Sequence, residues 1–404
     1  MHKTLVIYNA FLRKNSPGGQ IIRPFISELS KLGLESKIVC DTATVESWNN
    51  PFCDVFCVPE SRPIHNIMAI IRRLFPDLSF LPDTEYYSWA PSATEKAIEL
   101  IHKNKPDYIH SVSLANANHL VALKLKEMFG IPWIAQFYDP WVNNYFRPYY
   151  TQFFKGKDSD LEKKVALNAD IILHTNMAMC KDWLNRYGDT VKNKMFVLPL
   201  SMPQQPDYIP HKRKDGDILT ISHIGNFYKG RTSSEFIRAV ADFLNRYPSY
   251  RKSIVINYIG NVENKDRDLI LDLNLSDVFN LTGRISQNEC IDYYINSDIF
   301  LAIDGVGKDN LFFPSKILKY FYYKKPILGI TPKGSVLDEE LMHYGCKSIS
   351  NFDNEGLVKY LKNATENYNS LINNIDIRYW ENFSVDSVAK KYMDIIKILQ
   401  DKAR

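Results

Sequence analysis

Short apolar runs rich in β-branched residues recur along this chain, each followed by a longer stretch with helical spacing, and that alternation leaves few folds open. In the first half the runs fall at residues 4–8, 36–40, 55–58, 108–111 and 131–137. Helical patterns lie between them at 21–32, 93–102 and 119–129, with Gly33 and Gly130 just past two of their ends. The pattern restarts with strands at 218–224, 254–259, 279–281, 299–303 and 326–330. Helices fall near 233–246, 266–273, 289–296 and 315–323. Strands separated by helical patterns of roughly 10–15 residues signal βαβ units and hence parallel sheets. Between the halves Pro199, Pro203, Pro206 and Pro210 favour an extended connector over a helix. The expectation is an α/β chain of two Rossmann-like doubly wound domains facing a cleft, 1–203 and 204–383. An amphipathic helix at about 384–404 packs back on the first. Sheets of this kind bind ligands beyond the carboxyl ends of their strands, so the cleft is the expected site.

Several classes drop out. No unbroken apolar run approaches the roughly 18 residues of a spanning helix. The start, Met1-His2-Lys3-Thr4-Leu5, enters a strand without the apolar stretch of a secretory leader, so a cytoplasmic protein is expected. Fifty Lys and Arg against 46 Asp and Glu give a net charge of +4, with no concentrated basic excess. Nucleic acid is therefore not an expected partner. Of six cysteines only Cys53 and Cys57 are close in sequence, on one face of a strand-like run, and they read as core thiols. Asp158-Ser159-Asp160 has the look of a metal-binding carboxylate pair, but it lies in a hydrophilic helix start and no metal is expected there.

Four stretches carry a family resemblance. The first strand is followed by Pro17-Gly18-Gly19. Residues 106–111 lead to Gly130-Ile131-Pro132-Trp133 and on to Tyr138-Asp139-Pro140-Trp141. The second domain opens with His223-Ile224-Gly225-Asn226-Phe227-Tyr228-Lys229-Gly230-Arg231. Pro314-Ser315-Lys316-Ile317 then leads into Lys325-Pro326-Ile327-Leu328. In this order and spacing the chain resembles the GT-B glycosyltransferases, specifically glycosyltransferase family 4, over nearly its whole length.

That resemblance implies a retaining transferase that moves a sugar from a nucleoside-diphosphate-sugar donor to a glycan acceptor, with no metal or other cofactor. The first domain would take the acceptor and the second the donor. The leaving diphosphate develops negative charge that cations and N–H donors must meet. Lys229 and Arg231 are placed for this, with Gly225 and the helix beginning near Thr232 adding backbone donors. Pro314, Ser315 and Lys316 stand at another helix start. Gly18 and Gly19 would let backbone approach the diphosphate, because glycine has no Cβ. Asp139 would be the cleft-facing polar residue, orienting the acceptor or stabilising charge at the anomeric carbon. Arg284 and Ile285 fall in the segment whose backbone reads the nucleotide base.

Two departures stand out. Asn226 occupies a position where the family commonly has arginine. Lys319 and Leu311 stand where the family usually has glutamates, one of which binds the donor ribose. An ammonium group has donors only and cannot accept a ribose hydroxyl, so Asp304 or Asp309 becomes the candidate acceptor. The alternatives are a non-catalytic GT-B partner or scaffold protein and a GT-B sugar-nucleotide epimerase. The expected setting is surface polysaccharide biosynthesis, with a lipid-linked glycan as one form of acceptor. Aromatic residues after Asp139 (Trp141, Tyr145, Phe146, Tyr149, Tyr150) suit sugar rings or such a lipid-linked acceptor, with Arg147 to pair its phosphate. Residues 64–80, with Ile67, Met68, Ile70, Ile71 and Leu74 beside Arg72 and Arg73, suit either core packing, the preferred reading, or contact with the inner face of an anionic membrane.

Overall fold

Each half of the chain closes on a parallel sheet of its own. The computed structural model describes residues 2–13, 16–42, 47–75, 83–145, 151–202, 208, 216–227, 232–304, 307 and 310–403. The chain divides into two compact units, Met1–Gln204 with Asn382–Arg404, and Gln205–Glu381.

The first unit opens with β1 (His2–Ile7), α1 (Pro17–Lys31), β2 (Leu34–Asp41), β3 (Cys53–Val58) and α2 (Arg62–Leu74). It continues with α3 (Thr84–Ser88), α4 (Ala90–Lys103), β4 (Tyr108–Val112), α5 (Ala117–Phe129) and β5 (Trp133–Phe137). Next come α6 (Gln152–Asn168), β6 (Ile171–His174), α7 (Met177–Tyr187), α8 (Asp189–Lys192) and β7 (Met195–Val197). Its seven strands lie in the order β3-β2-β1-β4-β5-β6-β7. Neighbours are parallel throughout, with β1 pairing β2 from His2↔Leu34 to Ile7↔Val39.

The second unit runs β8 (Leu219–Ile224), α9 (Ser234–Arg246), β9 (Ile254–Ile259), α10 (Asn264–Asp272), β10 (Phe279–Gly283) and α11 (Gln287–Asn296). It goes on through β11 (Ile299–Ile303), α12 (Lys316–Tyr322), β12 (Ile327–Ile330), α13 (Val336–Tyr344), β13 (Ser348–Ile349), α14 (Asn354–Glu366) and α15 (Tyr368–Ile372). The order is β10-β9-β8-β11-β12-β13, again parallel. A core of Ile221, Phe236, Val240, Ile256, Leu301, Leu357 and their neighbours packs α9 and α14 on one face of this sheet.

The chain then returns to the first unit through α16 (Val385–Ala403). Its Tyr392 ring is fully buried, edge-on to Phe25 of α1 at 5.3 Å and tilted against His110 of β4 at 5.1 Å. Met202 and Phe383 join the crossing segments, Met202 N–H donating to the Phe383 carbonyl at 2.7 Å.

Two readings change. The helix expected within 64–80 exists as α2, which packs on α3, yet it keeps its apolar stripe outside. Ile67 is 55% exposed, Ile70 60% and Leu74 65%, while Met68 turns inward. Periodicity shows that a helix has an apolar face but not what covers it, and core packing is therefore not the role of this stripe. Cys57 is likewise exposed, because β3 is an edge strand, with its Sγ 3.7 Å from that of buried Cys40. Among the described residues no helix is long and apolar enough to cross a membrane.

Three fully buried histidines lie within the first unit. His110 Nε2 meets Gln136 Oε1 at 2.9 Å, His119 Nδ1 meets Ser111 Oγ at 2.8 Å, and His174 packs edge-on to Trp183. Burial disfavours the charged imidazolium and lowers their pKa values from 6.5 to about 4, about 3 and about 3 respectively. The unfolded chain therefore binds protons first as pH falls. Stability is full above about pH 6.5 and is lost progressively from there down to the folded-state values, by about 2 kcal/mol per histidine at pH 5. Urea unfolding followed by Trp fluorescence from pH 7.5 to pH 4.5 is expected to show this decline. Replacing His174 by Phe should remove about a third of it, since His110 and His119 remain.

Candidate functional site

Both sheets reverse their strand order, between β1 and β4 and between β8 and β11, and the crossovers part above those strand ends. In the first unit Ser16 caps α1, its Oγ accepting from Gly19 N–H at 3.2 Å, with Pro17 as the first helical residue. The helix thus begins four residues earlier than its apolar pattern suggests, and Gly18 and Gly19 lie in its first turn. A Cβ at Gly18 would overlap the Tyr8 hydroxyl and stand 2.6 Å from Leu114 Cδ1. One at Gly19 would stand 3.1 Å from the Ala10 carbonyl oxygen. These glycines let the helix head settle onto the ends of β1 and β4. Tyr8 is fully buried, and burial, opposed by Ser16 and Arg13 and aided by Asp139, raises its pKa.

Asp139 follows β5 and is half-buried. Its turn is tied down on both sides. Tyr138 N–H donates to Ser113 Oγ at 3.1 Å, and Thr175 Oγ1 donates to the Tyr138 carbonyl at 3.2 Å. Trp141 Nε1–H donates to Asp158 Oδ1 at 2.9 Å, and Val142 N–H to Glu162 Oε1 at 3.2 Å. Both carboxylates are fully buried on α6, and Arg186 pairs with Glu162. Asp158 is thereby assigned: it anchors the loop that presents Asp139. Residues 146–150, with the rest of the aromatic run and Arg147, lie outside the described residues.

In the second unit Ile224 closes β8 and its N–H donates to the Tyr320 hydroxyl of α12 at 3.0 Å. Gly225 follows at φ 143°, a conformation that L side chains rarely adopt, and its N–H donates to the Ile259 carbonyl at 2.8 Å. Asn226 Oδ1 accepts from Asn261 N–H at 2.9 Å, joining the turns after β8 and β9. Gly260 N–H in turn donates to the Gly283 carbonyl at 2.8 Å, which brings exposed Arg284 and half-buried Ile285 to the neighbouring turn.

Over Gly225 lies the ammonium of Lys316, 3.5 Å from where a Cβ would stand and 3.1 Å from His223 Nε2. Helix α12 is seven residues long, and Ser315 before it takes helical dihedrals and makes no side-chain cap. Its main offering to an anion is therefore the lysine at its head. Pro314 is buried and accepts from Ile317 N–H at 2.9 Å. Lys319, one turn on, places its ammonium 5.5 Å from the ring centroid of Tyr294 on α11. Lys325 holds that helix, its buried ammonium donating to the carbonyls of Tyr294, Ile295 and Ser297. Asp304 is buried at the end of β11 and accepts from Asn310 Nδ2 at 2.9 Å. Lys229, Arg231 and Asp309 lie outside the described residues.

The N-terminus of α9, expected to offer donors to a phosphate, is already occupied. Asp266 of α10 is fully buried and accepts from Ser233 N–H and Ser233 Oγ at 2.8 Å each and from Thr232 Oγ1 at 2.9 Å. This carboxylate is the anion that the helix head prefers. Sequence reasoning did not single out Asp266, Tyr8, His223 or Tyr320. Asp266 alone left a hint, an acidic residue at the start of a helical pattern.

Comparison with known proteins agrees with this architecture. The chain superposes on sucrose-phosphate synthase from Thermosynechococcus elongatus with a TM-score of 0.69 and 12% identity, covering all of both chains. Anabaena HepE in complex with UDP gives 0.64 and 10%, over 98% of this chain and 100% of that one. The lipopolysaccharide outer core galactosyltransferase WaaB gives 0.65 and 11%, over 98% and 99%. The fold is that of the GT-B glycosyltransferases. Residues 22–201 match the family model described as Glycosyltransferase Family 4. No curated protein matches it by sequence.

Two substitutions test these packing assignments. Gly18→Ala is expected to cost about 1–3 kcal/mol, as overpacking against Tyr8 and Leu114. Asp266→Ala is expected to cost about 2 kcal/mol by uncapping α9 and orphaning the Ser233 amide. Urea unfolding checks both; unchanged midpoints would contradict them.

Proposed function

We propose that this protein is a retaining glycosyltransferase that moves a sugar from a nucleoside-diphosphate-sugar donor to a glycan acceptor in surface polysaccharide assembly. The observation that carries the reading is Lys316, a cation poised above Gly225 where the strand order of the second sheet reverses. That is where doubly wound sheets bind ligands, and the departing diphosphate needs positive charge there. HepE, captured with UDP, lends support to a nucleotide donor. Lys229, Arg231, Gly225, Asn226 and Ser315 complete the proposed diphosphate site, with the Arg284-Ile285 segment at the base.

In the proposed step an acceptor hydroxyl attacks the anomeric carbon on the face the diphosphate leaves. The sugar–phosphate C–O bond breaks as the new glycosidic bond forms, and the departing phosphate oxygen takes the hydroxyl proton. No metal is required if side-chain cations meet the leaving charge. Asp139, held by its anchored turn, orients the acceptor or stabilises the positive anomeric carbon. Lys319 cannot accept from ribose, and that task passes to Asp304 or Asp309.

The acceptor is proposed to be lipid-linked and met at the inner face of a membrane. Support comes from α2, whose exposed Ile64, Ile67, Ile70 and Leu74 accompany Arg62 and Arg73 on a helix without Asp or Glu. Such a composition suits an anionic bilayer surface.

Calorimetric titration with UDP, GDP, dTDP and CMP tests the donor site. One nucleoside diphosphate is expected to bind, and Lys316→Ala to weaken it at least tenfold while leaving unfolding unchanged. A folded wild type that binds none of them would replace this reading with the non-catalytic partner. The membrane contact has its own check: sedimentation with vesicles of anionic lipid at low salt. Retention should be lost in the double variant Ile67→Glu, Ile70→Glu, and equal recovery of both proteins would refute it.

A further inference from the structure

His223 sits on β8 two residues before Gly225 and is fully buried, yet both of its ring nitrogens are engaged. Nδ1 lies 2.9 Å from the Leu301 carbonyl oxygen on β11. A carbonyl only accepts, so Nδ1 carries the proton. In the neutral imidazole that leaves Nε2 with its lone pair facing Lys316 Nζ at 3.1 Å. The ring is stacked on Phe227, with centroids 4.0 Å apart and planes within 19°. Backbone on one side and an aromatic face on the other thus fix the plane of the imidazole, which points its acceptor at the lysine.

We propose that His223 is the positioning residue for Lys316, holding the ammonium over Gly225 in the place where a diphosphate would meet it. This rests on the reading of the second unit as a nucleoside-diphosphate site. A lysine has a flexible four-carbon stem and pays rotamer entropy whenever it is fixed on a ligand. A buried neutral acceptor at the strand end removes much of that cost before the ligand arrives, and preorganisation of this kind raises affinity without a new ligand contact. The imidazole does not itself touch the ligand.

Two measurements on the full chain decide it. The first is the rate at which acetic anhydride acylates Lys316, followed by mass spectrometry without any nucleotide. His223→Phe keeps a ring for Phe227 to stack on but offers no nitrogen, and should speed acylation of Lys316 several-fold. His223→Gln, whose Oε1 reaches about as far as the imidazole Nε2, should return the rate toward that of the wild type. Equal rates in all three folded proteins would overturn the proposal, whether or not the donor reading holds. The second is titration with UDP. His223→Phe should weaken binding about tenfold, the scale of one hydrogen bond to a charged group, and His223→Gln by much less. In a Lys316→Ala background the His223→Phe change should have no further effect. Additive losses would mean that His223 acts elsewhere in the fold, and would sink the idea. A folded wild type with no affinity for UDP or the other nucleotides counts against the donor site alone, and the acylation rates still decide the role of His223.

Discussion

The reversal of strand order in each parallel sheet is the constraint to which the other features are fitted. All strands of such a sheet end on one edge, and crossovers covering either side of β1 and β8 leave room above that edge only where they part. The first unit places Tyr8, the glycine-bearing head of α1 and the Asp139 turn there. The second places Gly225, His223 and Lys316. Both glycine positions answer to closeness: Gly18 to the Tyr8 hydroxyl beside it, Gly225 to a left-handed turn under a lysine.

Buried carboxylates then hold the loops at those edges. A carboxylate taken from water is tolerable only when its oxygens are hydrogen-bonded. Asp158 and Glu162 meet that condition with an indole N–H, a backbone N–H and a guanidinium, and in doing so fix the turn after β5. Asp266 meets it with the head of α9. The last arrangement has a chemical consequence. A helix N-terminus filled by the protein's own anion is closed to a phosphate, so the donor site proposed for the second unit relies on side-chain cations and turn amides instead.

The legibility of the sequence varied with element length and with what lay across from it. Strands of five or six residues with several β-branched side chains, such as β8, β9 and β11, are visible as runs bounded by helical patterns. β6 and β7, four and three residues long, do not appear among those runs. The stripe on α2 is visible, but its exposure is not, because periodicity is a property of one helix and burial needs a second surface. Cys57 fails for the same reason at a sheet edge. Of the candidate site, Gly225, Lys316 and Asp139 come from motif positions, whereas the partner that orients each of them does not.

What the sequence by itself determined is local: alternating periods that impose parallel α/β sheets, a glycine where the chain must turn left-handed, and the cation at the head of α12. Tertiary structure decided which polar groups meet. His223 and Lys316 are 93 residues apart, Ser233 and Asp266 33, and Trp141 and Asp158 17. The first two pairs meet because strand order brings non-consecutive elements together, the third because the loop after β5 folds back on the helix that follows it, and in each a buried polar group finds its partner where the fold leaves it. Spacing along the chain carries no record of that choice.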